Sequence, residues 1–191
     1  NCIVSNMESI TMFQEMSMRY AVRFDILALK NSYGNDINLV INRDTPATIC
    51  EDSTLGRVWS DAQSDEMNIL YFHTKGTTSF FRNLMPGGSH RHKQYHYWRK
   101  FMNWGVLERW QDCVTALNDY DTAGANYQLQ PLPHYCGNFW WTKSSHIRKL
   151  PDPRTKNWWN TLKSQKPDTA NMATRMGDEM WICSAPNTRS Y

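Results

Sequence analysis

The chain has 191 residues, of which 40% are hydrophobic and 20% charged, with a formal net charge of +3. This is enough for one domain with a substantial core, and the hydrophobic content excludes a disordered chain. No apolar run approaches the roughly 20 residues of a membrane span, and no secretory signal pattern opens the chain, so we expect a cytoplasmic protein, in the host cytoplasm if the chain is viral.

The first 76 residues predict alternating strands and helices. Strands are expected at 2–4, 37–41 and 68–72, and helices at 10–29 and from Asp52-Ser53-Thr54 to Ala62. This order predicts a parallel sheet with right-handed crossovers, and the strand at 68–72 is apolar on both faces, as in a sheet covered by helices. Ligands of such sheets bind beyond the carboxyl ends of the strands, so chemistry is expected at His73-Thr74-Lys75-Gly76.

The second half predicts a different mixture of elements. We expect a long loop at 77–96, an amphipathic helix at 97–117, strands at 120–127 and 137–142, a short helix from 144 and a last helix at 172–183. A loop of this length in a compact domain is typical of a lid or binding loop. No domain boundary is visible, so we predict a single domain at 1–191, with a ligand-binding half at 1–76 and a second half at 97–191.

The charge is unevenly distributed. Residues 67–107 contain no Asp or Glu but hold six of the lysines and arginines and four histidines. Such a field favours an anionic ligand, whether a diphosphate, a nucleic acid or an acidic lipid headgroup, and a solvated basic loop explains it equally well. Nucleic acid is the weakest of these interpretations, because the cations are confined to one window and the net charge is small.

The cysteines number five and none forms a CxxC pair: they are Cys2, Cys50, Cys113, Cys136 and Cys183. Their odd number and scattered spacing predict neither a structural zinc site nor a disulfide framework. A reducing compartment fits this usage best.

Three segments stand out for their chemistry: YFHTKG at 71–76, HYCGNFWW at 134–141 and Asp178-Glu179-Met180-Trp181. Together with Trp98-Arg99, Met102, Asp121, Gly124 and Asn126, they resemble a family of glycosyltransferase domains with the GT-A fold, found in bacteria and large DNA viruses. The resemblance covers roughly residues 50–183. It implies an α/β, GT-A-like fold with a mostly parallel central sheet flanked by helices.

The resemblance also implies a reaction. It is the transfer of a hexosyl or deoxyhexosyl group from a nucleotide-diphosphate sugar, foremost a UDP-sugar, to a glycan or glycoprotein. The donor contacts it implies are His73, Thr74, Lys75, Gly76 and Arg99, with Ser5 and Asn6 added by fold analogy. The competing hypothesis is a non-catalytic module that binds a carbohydrate or a nucleotide sugar.

Most such enzymes hold Mn²⁺ or Mg²⁺ with an Asp-x-Asp pair at a strand end. Here His73-Thr74-Lys75 stands at that place, and a lysine balances phosphate charge without a metal, so a divalent cation stays an open expectation. The one Asp-x-Asp in the sequence, Asp119-Tyr120-Asp121, is the alternative metal site, although this composition is more typical of a turn.

The catalytic base is expected among late carboxylates, first Glu179, then Asp178, with Asp121 as the runner-up because its strand should point into the same cleft. The alternative is a solvated helix face or an ion pair with Arg175. For the acceptor sugar we expect contacts from HYCGNFWW, where alternation places Trp140 and Trp141 on opposite faces, one in the core and one as a platform for a sugar ring. The acceptor candidates are His134, Tyr135, Gly137, Asn138 and Trp140.

Overall fold

A computed structural model of the chain describes residues 2–6, 38–42, 51–73, 91–155, 157–165, 169, 171–172 and 176–191. Several predicted features lie outside these residues. They are the helix at 10–29, the segment Thr74-Lys75-Gly76, residues 77–90 of the predicted loop, and Arg175.

In the described residues, the central sheet has five strands in the order β2-β1-β3-β7-β4. Strand β1 runs parallel to both β2 and β3, whereas β7 runs antiparallel to both β3 and β4. Two short strands, β5 and β6, form a separate antiparallel ribbon. The bounds are β1 Cys2–Asn6, β2 Asn38–Asn42, β3 Asn68–His73, β4 Thr122–Gly124, β5 Tyr127–Gln128, β6 His134–Tyr135 and β7 Trp140–Lys143.

The predicted GT-A-like, mostly parallel sheet is therefore wrong. From β3 onward the pairing is antiparallel, in a three-stranded part made of β3, β7 and β4 and in the two-stranded ribbon. The β-α-β-α-β pattern of the first 76 residues does not determine how the strands of the second half pair. Apolar periodicity reports which residues are buried, but it carries no signal for strand direction, which depends on how the connections run.

Helices cover both faces of this sheet. Helix α1 follows Glu51, and a continuous run of α2, a π-helical turn and α3 precedes β4. The last helix, α6, carries Asp178 and Glu179. The bounds are α1 Asp52–Ala62, α2 Arg91–Asn103, the π-helical turn Trp104–Glu108, α3 Trp110–Ala116, α4 Ser144–Ile147, a 3₁₀ turn Pro153–Thr155, α5 Asn157–Gln165 and α6 Met176–Trp181.

Strand β3 is the centre of the core. Its residues 69–72 are all buried, which confirms that this strand is covered on both faces. Ile69 and Tyr71 pack in one cluster with α1 and Trp140, while Leu70 and Phe72 pack in the other with α2 and Trp141. Each face of the sheet thus has its own aromatic-rich core, and the partly buried His73 stands at the carboxyl end of β3.

Several predicted element bounds differ from those in the structure. The strand expected at 120–127 is interrupted after Gly124, and Asn126, with a φ of 62°, redirects the chain into the ribbon. The loop expected at 77–96 ends earlier, because α2 already begins at Arg91. Within the described residues, no helix is long and apolar enough to cross a membrane.

Candidate functional site

The turn Gly137-Asn138 lies beside the carboxyl end of β3. Both residues have positive φ, 102° and 61°, a conformation that Gly and Asn tolerate better than other residues. The His73 ring contacts the carbonyl of Gly137, with 2.8 Å between Nε2 and the oxygen. Because a carbonyl only accepts, Nε2 carries the proton and donates it. The expected strand start at residue 137 is therefore a tight turn, and β7 begins at Trp140.

Glu51, directly before α1, is the hub of the site. Its Oε2 atom accepts hydrogen bonds from the Tyr71 hydroxyl, at 2.9 Å, and from the Asn138 amide. Its Oε1 atom lies 3.4 Å from Nε2 of His73. The side chains of Glu51 and His73 are only 14% and 12% exposed, so these contacts are made largely out of water. A carboxylate in such a place needs the donors that surround it.

Asn138 holds the centre of the site together and is fully buried. Its amide nitrogen donates to Glu51 and to the backbone carbonyl of Asp178, at 3.3 Å, while its Oδ1 accepts from Trp140 Nε1 at 2.6 Å. The amide hydrogens and oxygen are thus engaged inside the protein. Asn138 positions its neighbours, and the expectation that it contacts a sugar directly is not met by this geometry.

Trp140 and Trp141 do point to opposite faces, as expected, and both are buried. Trp140 stacks on Tyr71 with 5.0 Å between ring centroids. It is 0% exposed, so the expectation of an open platform for a sugar ring is wrong. The indole packs in the core, where its N–H orients Asn138.

Helix α6 brings both predicted carboxylates to this turn. Asp178 is 2% exposed, and its Oδ2 accepts the backbone N–H of Glu51 at 3.3 Å. Glu179 is half-buried, and its Oε2 accepts the backbone N–H of Gly137 at 3.1 Å. Asp178 therefore fixes Glu51, whereas Glu179 lies at the edge of the site.

Helix α2 closes the site from the opposite face. Trp98 and Met102 pack so tightly on Gly137 that a Cβ atom there would overlap the Met102 sulfur. Arg99, an expected donor contact, is half-buried on the same helix. Ser5 and Asn6 end β1, where Asn6 is in register with His73, so the backbone of both residues lies at the same edge of the sheet as the site.

Two predicted site residues lie elsewhere. Asp121 precedes Thr122, which pairs through Thr142 with Ile69 at the start of β3, so Asp121 is at the opposite end of the sheet from His73. There it contacts Lys149 and the backbone N–H of Arg189. The expectation that Asp121 faces the same cleft is wrong, because β4 begins where β3 begins.

Tyr135 also points away from the site. Its hydroxyl bonds with Thr122 and with the backbone carbonyl of Tyr191, and burial raises the pKa of this hydroxyl far above its usual value. Tyr135 is a core residue, so the expectation that it contacts an acceptor sugar is not met. A pocket elsewhere in the described structure shares no residue with the site; its lining is Pro151, Trp158, Thr161, Leu162, Gln165 and Ser184.

His134 lies next to the site, on the ribbon. It is 7% exposed, and its Nδ1 donates to the carbonyl of Leu132 at 2.7 Å. A ligand atom each of His134, Cys136 and Glu179 lie within 4.8 Å of one another. In the described residues this is a group of side chains with the composition of a metal site.

Sequence reasoning missed Glu51. A glutamate just before a helix is commonly explained by the helix dipole, so its position gave no functional signal. The Glu51 side chain accepts hydrogen bonds from residues 20 and 87 positions away in the chain, and its backbone N–H donates to a residue 127 positions away. The informative signal is His73 at the end of β3, because a buried strand that ends in a histidine needs a polar partner at that end.

The fold and the site together define an α/β domain with a mixed sheet and a buried cluster of carboxylate, imidazole and amide groups at the carboxyl edge of its parallel strands. The chain belongs to the family DUF8361, described as a domain of unknown function, whose profile matches residues 29–190. No curated protein and no solved structure matches the chain.

Proposed function

We propose that this protein is a glycosyltransferase that moves a hexosyl or deoxyhexosyl group from a nucleotide-diphosphate sugar to a glycan or glycoprotein acceptor, with a UDP-sugar as the first donor to test. The observation that carries the proposal is the convergence of three segments, 71–73, 134–141 and 178–181, around the turn Gly137-Asn138. These are parts of the segments by which the sequence resembles glycosyltransferases. The residues that connect them are far apart in the chain: His73 and Gly137 by 64 positions, and Gly137 and Glu179 by 42.

The position of the cluster supports a ligand site. His73 ends β3 next to the end of parallel β1, and ligands of open α/β sheets bind beyond such strand ends. A polar network among buried apolar residues departs from the usual pattern of a core, and such departures are expected at functional sites.

Glu179 is the base in this proposal. The acceptor hydroxyl oxygen forms a bond to the anomeric carbon, the bond from that carbon to the phosphate oxygen breaks, and the nucleoside diphosphate leaves with the electron pair. The hydroxyl proton passes to the Glu179 carboxylate. Of the two carboxylates on α6, Glu179 is half-buried at the edge of the site, whereas Asp178 is buried against the backbone of Glu51.

Cations at the same edge would balance the leaving diphosphate. We assign this role to Lys75, which follows His73 in the sequence, and to Arg99 on α2. Asp121 lies at the other end of the sheet from His73, so we do not propose the Asp119-Tyr120-Asp121 pair as a cation site for this reaction. Whether transfer requires Mn²⁺ or Mg²⁺ is tested directly.

The experiment is a thermal-shift panel of nucleotide sugars, with and without Mn²⁺, followed by assays of donor hydrolysis and transfer to simple glycosides. We expect one nucleotide class to raise the melting temperature and one of its sugars to turn over. Lys75→Ala should weaken donor binding at least about tenfold, while Lys163→Ala, on α5, should leave it unchanged. Binding without turnover on any acceptor would favour the carbohydrate- or nucleotide-sugar-binding module. No binding by any nucleotide sugar would contradict both.

A further inference from the structure

His134, Cys136 and Glu179 lie where the ribbon meets α6. His134 is in β6, Cys136 follows this strand, and Glu179 is in α6. Tyr135, between His134 and Cys136, is buried in the core, and Cys136 lies in the turn that begins directly after the strand. The ligand atoms of His134 and Cys136 and a carboxylate oxygen of Glu179 all lie within 4.8 Å of one another.

One nitrogen of the His134 ring is already fixed by a hydrogen bond inside the protein. Its Nδ1 donates to the Leu132 carbonyl at 2.7 Å, so in the neutral ring Nε2 carries the lone pair. Histidine ligands almost always have this second hydrogen bond, which fixes the tautomer and the ring. His134 is 7% exposed, so the ring is held in place by its surroundings as well.

Glu179 is held in a comparable way. The backbone N–H of Gly137 donates to Oε2 at 3.1 Å, which fixes the carboxylate beside the ribbon. Backbone donors of this kind orient ligating carboxylates and limit their movement. The three ligands therefore come from two elements that are already joined by a hydrogen bond.

We infer that His134 Nε2, Cys136 Sγ and the Glu179 carboxylate bind a divalent cation of borderline softness, of which Zn²⁺ is the first candidate. Imidazole and thiolate ligands select such ions over Mg²⁺ and Mn²⁺. Bond lengths of about 2.0–2.3 Å place tetrahedral ligand atoms about 3.3–3.8 Å apart, so side-chain shifts of about 1 Å complete the site. Three protein ligands leave a fourth position for water or a substrate oxygen.

Cysteine spacing could not reveal this site. It has only one cysteine, and the pattern of the five cysteines predicts no structural zinc. The informative pattern is His-x-Cys, which brings a nitrogen and a sulfur ligand close in sequence, but the third ligand lies 43 residues after Cys136. Only the folded chain brings it near.

The test uses Co²⁺ as the probe, added to chelator-treated protein without any sugar. We expect one equivalent to bind with a thiolate-to-cobalt charge-transfer absorption, and Zn²⁺ to displace it. Cys136→Ser should remove this absorption and weaken binding at least about tenfold. The matched control is Cys183→Ser: burial raises the pKa of the Cys183 thiol to about 12, which disfavours the thiolate, so this variant should keep the spectrum.

Wild-type protein loaded with Zn²⁺ gives a second readout that needs no variant. X-ray absorption should show one sulfur at about 2.3 Å and nitrogen or oxygen neighbours at about 2.0–2.1 Å. Absence of sulfur from the shell, or an unchanged cobalt spectrum in Cys136→Ser, would overturn the inference. Because a ligated carboxylate does not accept a proton, a cation bound to Glu179 blocks the base of the proposed reaction, so Zn²⁺ should inhibit transfer and chelator-treated protein should be the active form. Cobalt binding is measured without any sugar, so this inference and the proposed enzymatic activity can fail separately.

Discussion

Glu51 and Asp121 are carboxylates at opposite ends of the same sheet, and their surroundings differ in kind. The Glu51 carboxylate accepts hydrogen bonds from the Tyr71 phenol and the Asn138 amide, and it contacts the His73 imidazole, largely out of water. Asp121 is surrounded by Lys149, Arg189 and His146. Burial raises the pKa of Asp121, but the N–H of Arg189 and the nearby positive charges outweigh it, and the pKa is lowered.

The two residues illustrate two roles of a partly buried carboxylate. At Asp121, the pairing of opposite charges links the start of β4 to the carboxyl-terminal segment. The neighbouring Thr122 forms a β-bridge with Ser190 of the same segment. At Glu51, neutral donors align a carboxylate beside His73 without cancelling its charge. The first arrangement stabilises the fold, whereas the second preserves a negative group at the edge where ligands bind.

Among the substitutions that test this difference, Gly137→Ala should have the largest effect on the free energy of unfolding. The variant forces a side chain onto a φ of 102° and into the Met102 sulfur, so we expect a loss of about 2–5 kcal/mol in the free energy of unfolding, measured with urea. Adding Met102→Ala relieves the overlap but not the backbone strain, so it should not restore stability. Stability within about 0.5 kcal/mol of wild type would contradict the described turn.

Glu51→Gln should cost about 1–3 kcal/mol, because an amide replaces a charged acceptor and leaves a buried donor of Tyr71 or Asn138 without its partner. Urea unfolding measures it. Glu66→Gln is the matched control: Glu66 bonds Arg148 at the surface, and its loss should change stability much less. Equal effects of the two substitutions would remove Glu51 from the centre of the site.

Asp121→Asn should cost about 1 kcal/mol at neutral pH and leave ligand binding unchanged. The lowered pKa means that the stabilisation is present above the pKa of an unfolded aspartate, near 3.9, and is lost as the pH falls through the lower folded value. The gap between wild type and variant should therefore begin to narrow below about pH 4. Unfolding curves from pH 7 to 3 test this, and a gap that does not narrow towards the acid end would contradict it.

His146 gives the smallest effect. Burial lowers the pKa of this ring, whose Nε2 donates to the Ile182 carbonyl. The unfolded chain takes up a proton before the folded one, so stability is highest above the usual histidine pKa, near 6.5, and falls as the pH drops below it. At pH 6 the loss should be under about 1 kcal/mol. His146→Gln keeps an N–H donor and should flatten this slope; an unchanged slope would assign it to another group.

The sequence predicted the parts of this structure that depend on local pattern. The apolar run at 69–72 indicated a strand covered on both faces, and the unusual segments ending in His73 and around Asn138 indicated where polar chemistry lies. Alternation also predicted the opposite directions of Trp140 and Trp141.

The remaining features depend on contacts between distant residues. The antiparallel direction of β7 follows from its connections, and the role of Glu51 follows from partners on β3 and before β7. Trp140 could not be assigned to core or surface from alternation alone, because both faces of this sheet are buried. Asp121 was misplaced for a related reason, since strand direction decides which end of a strand reaches the site.

Rates of transfer by wild type, Glu179→Gln and Glu66→Gln with the best donor identified test the central claim most directly. Gln keeps an oxygen to accept the Gly137 N–H but cannot accept a proton, so donor binding should persist while turnover falls about 10²–10⁴-fold, with Glu66→Gln close to wild type. Normal turnover by Glu179→Gln would contradict the assignment of this carboxylate as the base.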